Sequence, residues 1–287
     1  MVSVRYIANS AAETGRQRDL AEAAATIPSM STVLITGASG GIGYELAKLF
    51  ARDHFTLVLV ARSGDKLAQV ASELEATGAN IRTVALDLSS TSAPKSLFDQ
   101  LQWEKITIDI LINNAGFGAF GEFAGMSESQ VLGQIDLNIR ALTELTRLFL
   151  PPMIARRNGK IMNVASVAGF QPGPLMAVYY ATKAYVISFT EAIANELHGS
   201  GVTVTCFCPG ATHTGFARRA GIEESRLFSL GAMSAERVAL DGYRALMRER
   251  SLSISGAHNW LIAQSTWFAP RKMVTAVSRW ITERIKA

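Results

Sequence analysis

In the run Tyr179-Tyr180-Ala181-Thr182-Lys183, a phenol and an ammonium stand one helical turn apart. On a helix that spacing puts both on one face, so the cation can favour the ionised phenol. A free tyrosine titrates near ~10, and a fixed neighbouring cation that lowers this value makes the hydroxyl a usable acid/base. A second chemical pattern lies upstream. Thr36-Gly37-Ala38-Ser39-Gly40-Gly41-Ile42-Gly43 follows the apolar run Thr32-Val33-Leu34-Ile35 and precedes helical apolar spacing from Tyr44 to Arg52. Strand, glycine turn and helix in that order present unpaired backbone N–H groups and partial positive charge to an anion. Gly37, Gly41 and Gly43 let a pyrophosphate approach that backbone. The spacing is G-x-x-x-G-x-G and not G-x-G-x-x-G, so the dinucleotide-binding rule applies by analogy.

The same turn also fits G-x-S-x-G, the nucleophile elbow of serine hydrolases, with Ser39 as nucleophile. That reading needs an acid and then a histidine later in the chain, and none of His54, His198, His213 and His258 stands in an evident partner context. The elbow also follows several strands as a rule, whereas this turn follows the first. Tight helix–strand packing is the bland account of so many glycines. The next strand, Thr56 to Val60, ends in Ala61-Arg62-Ser63. A carboxylate there would hold a bare ribose hydroxyl and repel a 2′-phosphate, whereas a guanidinium binds phosphate bidentately. Arg62 therefore favours NADP(H) over NAD(H), if it is more than a solvated loop residue.

From Thr32 to Thr214 the chain resembles the short-chain dehydrogenase/reductase family, with every block in family order. Thr36 to Gly43 matches its T-G-x-x-x-G-x-G, Asp87 in Leu86-Asp87-Leu88 its adenine-side acid, and Asn113-Asn114-Ala115-Gly116 its N-N-A-G. Asn138 matches its helix asparagine, Ser166 its serine, Tyr179 and Lys183 its catalytic pair, and Pro209-Gly210-Ala211-Thr212-His213-Thr214 its P-G-x-x-x-T. The resemblance implies that Tyr179 exchanges the proton with the substrate oxygen while Ser166 fixes and polarises that oxygen. It implies that Lys183 holds the nicotinamide ribose and lowers the Tyr179 pKa, and that Asn138 supports a water relay from Lys183. Asn113 would secure the fourth strand, and Thr214 the nicotinamide carboxamide. Gly37, Ser39, Gly41, Ile42, Gly43, Arg62, Asp87, Leu88, Asn114, Ala115, Gly116, Tyr179, Lys183, Pro209, Gly210 and Thr214 would line the cofactor. Tyr180 reads as a packing residue, and Asp87 has a second reading as a helix cap.

Short apolar strands alternate with helical stretches, which predicts one α/β domain: a Rossmann-type, doubly wound parallel sheet of about seven strands with helices on both faces. The expected strands are 32–36, 56–60, 81–86, 108–113, 159–165, 202–208 and a weak one within 252–264. Residues 1–30 read as a loosely attached tail before a domain spanning 31–287; they contain Glu13, Asp19 and Glu22 and no continuous apolar core, so they do not read as a secretory signal. No apolar run long enough for a transmembrane helix exists. With 287 residues, 48% hydrophobic and a net charge of +4, the chain lacks the basic runs with interleaved aromatics of a nucleic-acid binder. Cys206 and Cys208 flank Phe207 without a second ligand pair, so they read as buried thiols of a reducing cytoplasm and no metal site is expected.

Specificity is expected in Phe117 to Phe123, Val167 to Val178 and a lid over about 211–232, where Phe117, Phe120, Phe170, Leu175, Met176, Phe216, Leu227 and Phe228 suit a hydrophobic carbonyl or alcohol. Arg218 and Arg219 could draw an anionic substrate group, though charged lid residues are more often simply solvated. A terminal helix over about 270–286 carries Met273, Val274, Val277, Trp280, Ile281 and Ile285 on one side. Packing on its own domain or on a partner subunit suits it better than a membrane surface. The expected protein is an NADP(H)-dependent oxidoreductase interconverting a carbonyl and a secondary alcohol, assembled as a homodimer or homotetramer. A non-catalytic dinucleotide sensor is the rival from another class, and the Asn138, Ser166, Tyr179, Lys183 set counts against it.

Overall fold

A computed structural model describes residues 31–229 and 231–283; the expected tail 1–30 and the last turn of the expected terminal helix lie outside them. The first strand, β1 (Thr32–Thr36), is nearly all buried, as a parallel strand covered on both faces must be. Its side chains alternate between two cores. Val33 and Ile35 join Leu46 and Phe50 of α1 (Gly41–Arg52) on one face, and Leu34 joins Leu97 of α3 (Ala93–Trp103) on the other.

The remaining strands are β2 (Thr56–Ala61), β3 (Ile81–Ala85), β4 (Ile110–Asn113), β5 (Gly159–Val164), β6 (Val202–Cys208) and, further on, β9 (Leu252–Ile254). They form one seven-stranded sheet in the order β3-β2-β1-β4-β5-β6-β9, every neighbouring pair parallel. Crossover helices close both faces: α2 (Gly64–Glu75) and α9 (Ala235–Met247) with α1, and α5 (Leu142–Arg156) and α6 (Ala177–Glu196) with α3. The chain leaves β1 toward β2 and β3, then returns to the other side of β1 as β4. The crevice between the carboxyl ends of β1 and β4 is thus a topological switch point, where α/β sheets bind ligands.

The element bounds refine the expected ones, and the weak seventh strand falls within the expected 252–264. The fourth strand starts at Ile110, not 108. The seventh strand is confined to Leu252–Ile254, because Gly256, at φ 87, turns the chain into the helix α10 (Ala257–Phe268). The apolar run Trp260-Leu261-Ile262-Ala263 fits strand and helix alike by periodicity. The terminal helix α11 occupies Arg271–Thr282. Within 211–232 lie β7 (Thr212–His213), α7 (Gly215–Ala220) and α8 (Arg226–Ser229), and β7 pairs in parallel with β8 (Met233–Ser234) in a small separate ladder.

Candidate active site

The glycine turn is built by backbone geometry that other residues would disturb. Gly37 and Gly41 take positive φ values of 68 and 58, and a Cβ on Gly43 would stand 2.4 Å from the Gly37 carbonyl oxygen. Gly40 caps α1 without a side chain and no acid occupies its first turn, so the amides of Gly41, Ile42 and Gly43 are not masked by a capping carboxylate. Thr214 covers the turn from above, its side chain 3.1 Å from where a Gly41 Cβ would stand. Asn114 holds the turn from below, donating to the Thr36 carbonyl at 2.9 Å and the Gly37 carbonyl at 3.3 Å. The Thr36 hydroxyl accepts from the Asn114 and Ala115 amides, each at 3.0 Å, which joins the ends of β1 and β4 across the switch point. Ser39 is half-buried in the turn. His54 and His198 follow the far ends of α1 and α6, at the opposite edge of the sheet from Ser39, so the hydrolase reading has no histidine from either.

At the end of β2, exposed Arg62 lies 3.9 Å from the exposed Asp87. The other Asp87 oxygen accepts from the Ser89 amide at 3.0 Å and the Ser89 hydroxyl at 2.7 Å, making a tight turn after β3. Helix α3 starts later, at Ala93 after Ser92, so Asp87 is not its cap. Leu88 is buried in the core with Val60 and Leu97 and offers a ligand its main chain only.

Asn138 lies in a π-helical turn, Asp136–Ala141, that joins α4 (Glu128–Ile135) to α5. Such turns are rare and concentrate at functional sites. Its side chain donates to the Phe117 carbonyl at 2.8 Å and to Thr182 Oγ1 at 3.1 Å, and accepts from the Phe117 amide at 3.1 Å. It therefore ties the loop after β4 to the helix that carries Tyr179 and Lys183.

Ser166 follows β5; its hydroxyl accepts from the Ala168 amide at 3.1 Å and donates to the Pro209 carbonyl at 3.3 Å. Tyr179 and Lys183 share one face of α6, as the spacing predicts, with Lys183 Nζ 5.8 Å from the centre of the Tyr179 ring. Nζ donates to the Val164 carbonyl at 2.8 Å. Burial raises the Tyr179 hydroxyl above its ordinary value, a hydrogen bond with Ser166 lowers it, and Tyr180 raises it. Burial pulls Lys183 itself down to about 8, opposed by the neighbouring Cys208 and Cys206 thiols. Those cysteines are free and buried, their sulfurs 3.8 Å apart. Tyr180 is buried and packs against Gly173, where a Cβ would stand 2.1 Å from its ring.

Above Tyr179 the apolar residues divide. Met176 and Phe216 approach Tyr179 around Gly118, the Phe216 ring 5.2 Å away, and Phe120 and Leu227 join the same cluster. Leu175, at a positive φ of 67, accepts from the Gly121 amide at 2.8 Å and so holds this wall in a strained conformation. Phe170 instead packs with Cys206 and Val186, and Phe117 lies against Gly133. Arg218 is paired with Glu223 at 3.5 Å.

Sequence reasoning missed a buried polar ladder beneath the site. Asn113 donates to Thr146 at 3.0 Å and to Asn163 at 2.9 Å, and Asn163 donates to Thr190 at 3.1 Å. The signal was an amide in each of two otherwise apolar strands, which buried polar groups occupy only with partners. Thr182, between the catalytic pair, was missed too: it accepts from Asn138 and donates to the Tyr179 carbonyl at 2.7 Å. Among the described residues no cluster of three or more His, Cys, Asp or Glu could hold a metal ion.

The sequence model of a family described as short chain dehydrogenase matches residues 31–225. HetN, a ketoacyl reductase of Nostoc sp., is 41% identical over 179 residues, which cover 62% of this chain and 62% of that protein. The match therefore spans less than two thirds of that relative's length. The oxidoreductase UcpA of Salmonella typhimurium is 36% identical over 187 residues, 65% of this chain and 71% of its own. Among solved structures, a short-chain dehydrogenase from Sphingobium yanoikuyae in complex with NADPH is 33% identical, with a TM-score of 0.76 over 83% of this chain and 94% of its own. The bulky-bulky ketone specific alcohol dehydrogenase from Comamonas testosteroni is 30% identical, with a TM-score of 0.71 over 83% and 92%. A Burkholderia phymatum enzyme in complex with NAD is 25% identical, with a TM-score of 0.75 over 90% and 98%.

Proposed function

Because the chain belongs to the short-chain dehydrogenase/reductase family, we propose that it is an NADP(H)-dependent oxidoreductase that reduces a bulky hydrophobic ketone to a secondary alcohol. The observation that carries this reading is the packing of the Tyr179 ring against Phe216 and beside Lys183, whose Nζ is bonded to the end of the strand that leads into Ser166. Two hydroxyls there meet one substrate oxygen: Ser166 donates to it and holds it in place, and Tyr179 gives it the proton. A phenol raised by burial stays protonated through neutrality, which suits the acid of a reduction. The nicotinamide ring supplies the hydride when bound.

The cradle fits a dinucleotide. The unmasked amides of Gly41 to Gly43 and the forced bareness of Gly43 suit a pyrophosphate, and Thr214 stands over them. Gly116 takes its place beside Asn138 and Lys183, where a Cβ would stand 3.1 Å from the Asn138 side-chain oxygen. Arg62 supports a 2′-phosphate, as does the NADPH complex of the Sphingobium relative; the NAD complex of the Burkholderia one leaves this preference to Arg62 alone. A bulky ketone is supported by the apolar wall and by the Comamonas relative. The segment 211–232 serves as the lid. Exposed Leu132 and Ile135 on α4 and Ile154 on α5 suit a homodimer or homotetramer, and the free thiols a reducing cytoplasm. The test is consumption of NADPH, and separately of NADH, in the presence of aryl and alicyclic ketones of increasing size. Faster use of NADPH with the larger ketones is expected; no consumption with any ketone would refute the reading.

A further inference from the structure

Helices α10 and α11 turn their apolar residues the wrong way for a core. On α10 only Ala263 is fully buried, while Trp260, Leu261, Trp267 and Phe268 share the outer face, Trp267 77% and Phe268 89% exposed. On α11 the buried positions are Ser278 and Thr282, and the Ser278 hydroxyl has no hydrogen-bond partner, whereas Met273, Val277 and Trp280 form an exposed stripe at helical spacing. The sequence pattern had grouped Val274 and Ile281 with that stripe; the structure turns these two inward, half-buried. Large exposed apolar patches on folded proteins mark contact surfaces.

Charge decides between partners. From Ser251 to Thr282 the chain has no Asp or Glu but has Arg271, Lys272 and Arg279; the next residue, Glu283, pairs with Arg279 at 3.1 Å and leaves Arg271 and Lys272 as the cations beside the Trp267-Phe268 pair. Lys272 and Arg279 border the α11 stripe on one side, and Arg271 and Lys272 follow the Trp267-Phe268 pair directly. A second copy docked on the same face by a two-fold axis would bring like charges together. An anionic lipid surface meets the pattern: tryptophan and phenylalanine settle at the level of the headgroups, and flanking cations meet the phosphates. Among the described residues no helix is long and apolar enough to cross a membrane, so the contact is one of resting on the surface. Both helices are anchored to the domain. The Asn259 side chain fills the space beside Gly210 at the end of β6 and donates to the Ser255 carbonyl at 2.7 Å, and Arg226 of α8 donates to the Trp280 carbonyl at 2.9 Å.

We propose that the outer face of α10 and α11 docks the protein onto an anionic lipid bilayer, with Trp267 and Phe268 entering the headgroup region and Arg271 and Lys272 meeting the lipid phosphates. The test is flotation of the full chain with vesicles of phosphatidylcholine alone and of phosphatidylcholine mixed with phosphatidylglycerol. Binding to the mixed vesicles is expected, falling at least ~10-fold for W267S/F268S and, separately, for R271E/K272E. Both pairs lie far from Tyr179 in sequence and on exposed positions, so ketone reduction without lipid serves as the control for folding. Failure of the wild type to float with anionic vesicles would overturn the proposal. So would equal binding to neutral vesicles, or equal binding by either double variant. A drop in sedimentation mass of W267S/F268S, with a wild type that ignores vesicles, would assign the face to a second copy instead.

Discussion

The carboxyl edge of β1 to β6 and the α10–α11 pair are held by different kinds of bond. At the edge, polar side chains reach across the sequence: Asn114 to Thr36, Asn138 to Phe117 and Thr182, Asn113 to Asn163. In the terminal helices most side-chain hydrogen bonds stay within one turn, as from Thr275 to Arg271 and from Thr282 to Ser278, and the tie from Arg226 to the Trp280 carbonyl is the exception. Long-range ties fix groups from different elements relative to one another, which proton transfer at one oxygen atom requires. Local ties leave a helix whole but specify little about its surroundings, which suffices for a surface that meets a fluid partner. The proposed chemistry uses the first region and the proposed surface contact the second.

Ser166→Ala would break the first half of that contrast most severely. Loss of the donor that holds the substrate oxygen should lower kcat by ~10²-fold or more with NADPH binding intact. A loss confined to KM would reduce Ser166 to a binding group. Next comes Arg62→Glu. Replacing a charge-assisted contact by a like charge should weaken NADPH by about one to two decades and NADH far less, as read by quenching of protein fluorescence. Equal losses for both nucleotides would remove Arg62 from the 2′-phosphate.

Asn138→Ala is the direct trial of long-range positioning. It leaves the Phe117 amide and carbonyl without their partner, so urea unfolding should register a loss of about 1–3 kcal/mol, and kcat should fall more than KM rises. An unchanged midpoint would show that the π-helical turn does not need this tie.

The smallest effect is one of pH. Lys183 is held down to about 8, below its unfolded value of 10.5, so between these values the unfolded chain keeps a proton that the folded protein has released. Stability from this group thus rises as pH rises through that window, and below it the buried charge costs stability. Lys183→Met removes the dependence: without nucleotide the variant should be the more stable near neutrality by about 1–2 kcal/mol, with the gap closing toward alkaline pH. Tyr179 acts oppositely above 10, where its raised value makes stability fall as pH rises, in both proteins alike. A gap independent of pH would place the Lys183 proton elsewhere.

How far the sequence was legible follows the same division. Gly37, Gly41 and Gly43 announce their turn because each meets a backbone demand no other residue satisfies. The parallel sheet with helices on both faces followed from alternation of apolar runs and helical spacing. What was not legible depended on partners distant in the chain. Nothing in Asn163 or Thr190 alone says that they continue a ladder from Asn113, and the four-residue spacing of Lys183 from Tyr179 could not reveal that Nζ turns to Val164. The terminal region misled for a different reason. An apolar pattern at helical spacing tells which residues share a face, not whether that face points inward; the stripe of Met273 and Trp280 was expected to pack on the domain or on a partner subunit, and both are exposed on this chain.

The central claim is that Tyr179 and not its neighbour gives the proton. Tyr179→Phe and Tyr180→Phe each delete one hydroxyl and keep the ring. With saturating NADPH and a bulky ketone, single-turnover reduction should fall by ~10²-fold or more in Tyr179→Phe while NADPH still binds, and Tyr180→Phe should stay near the wild-type rate. Near-normal reduction by Tyr179→Phe, or equal losses in the two variants, would contradict the account.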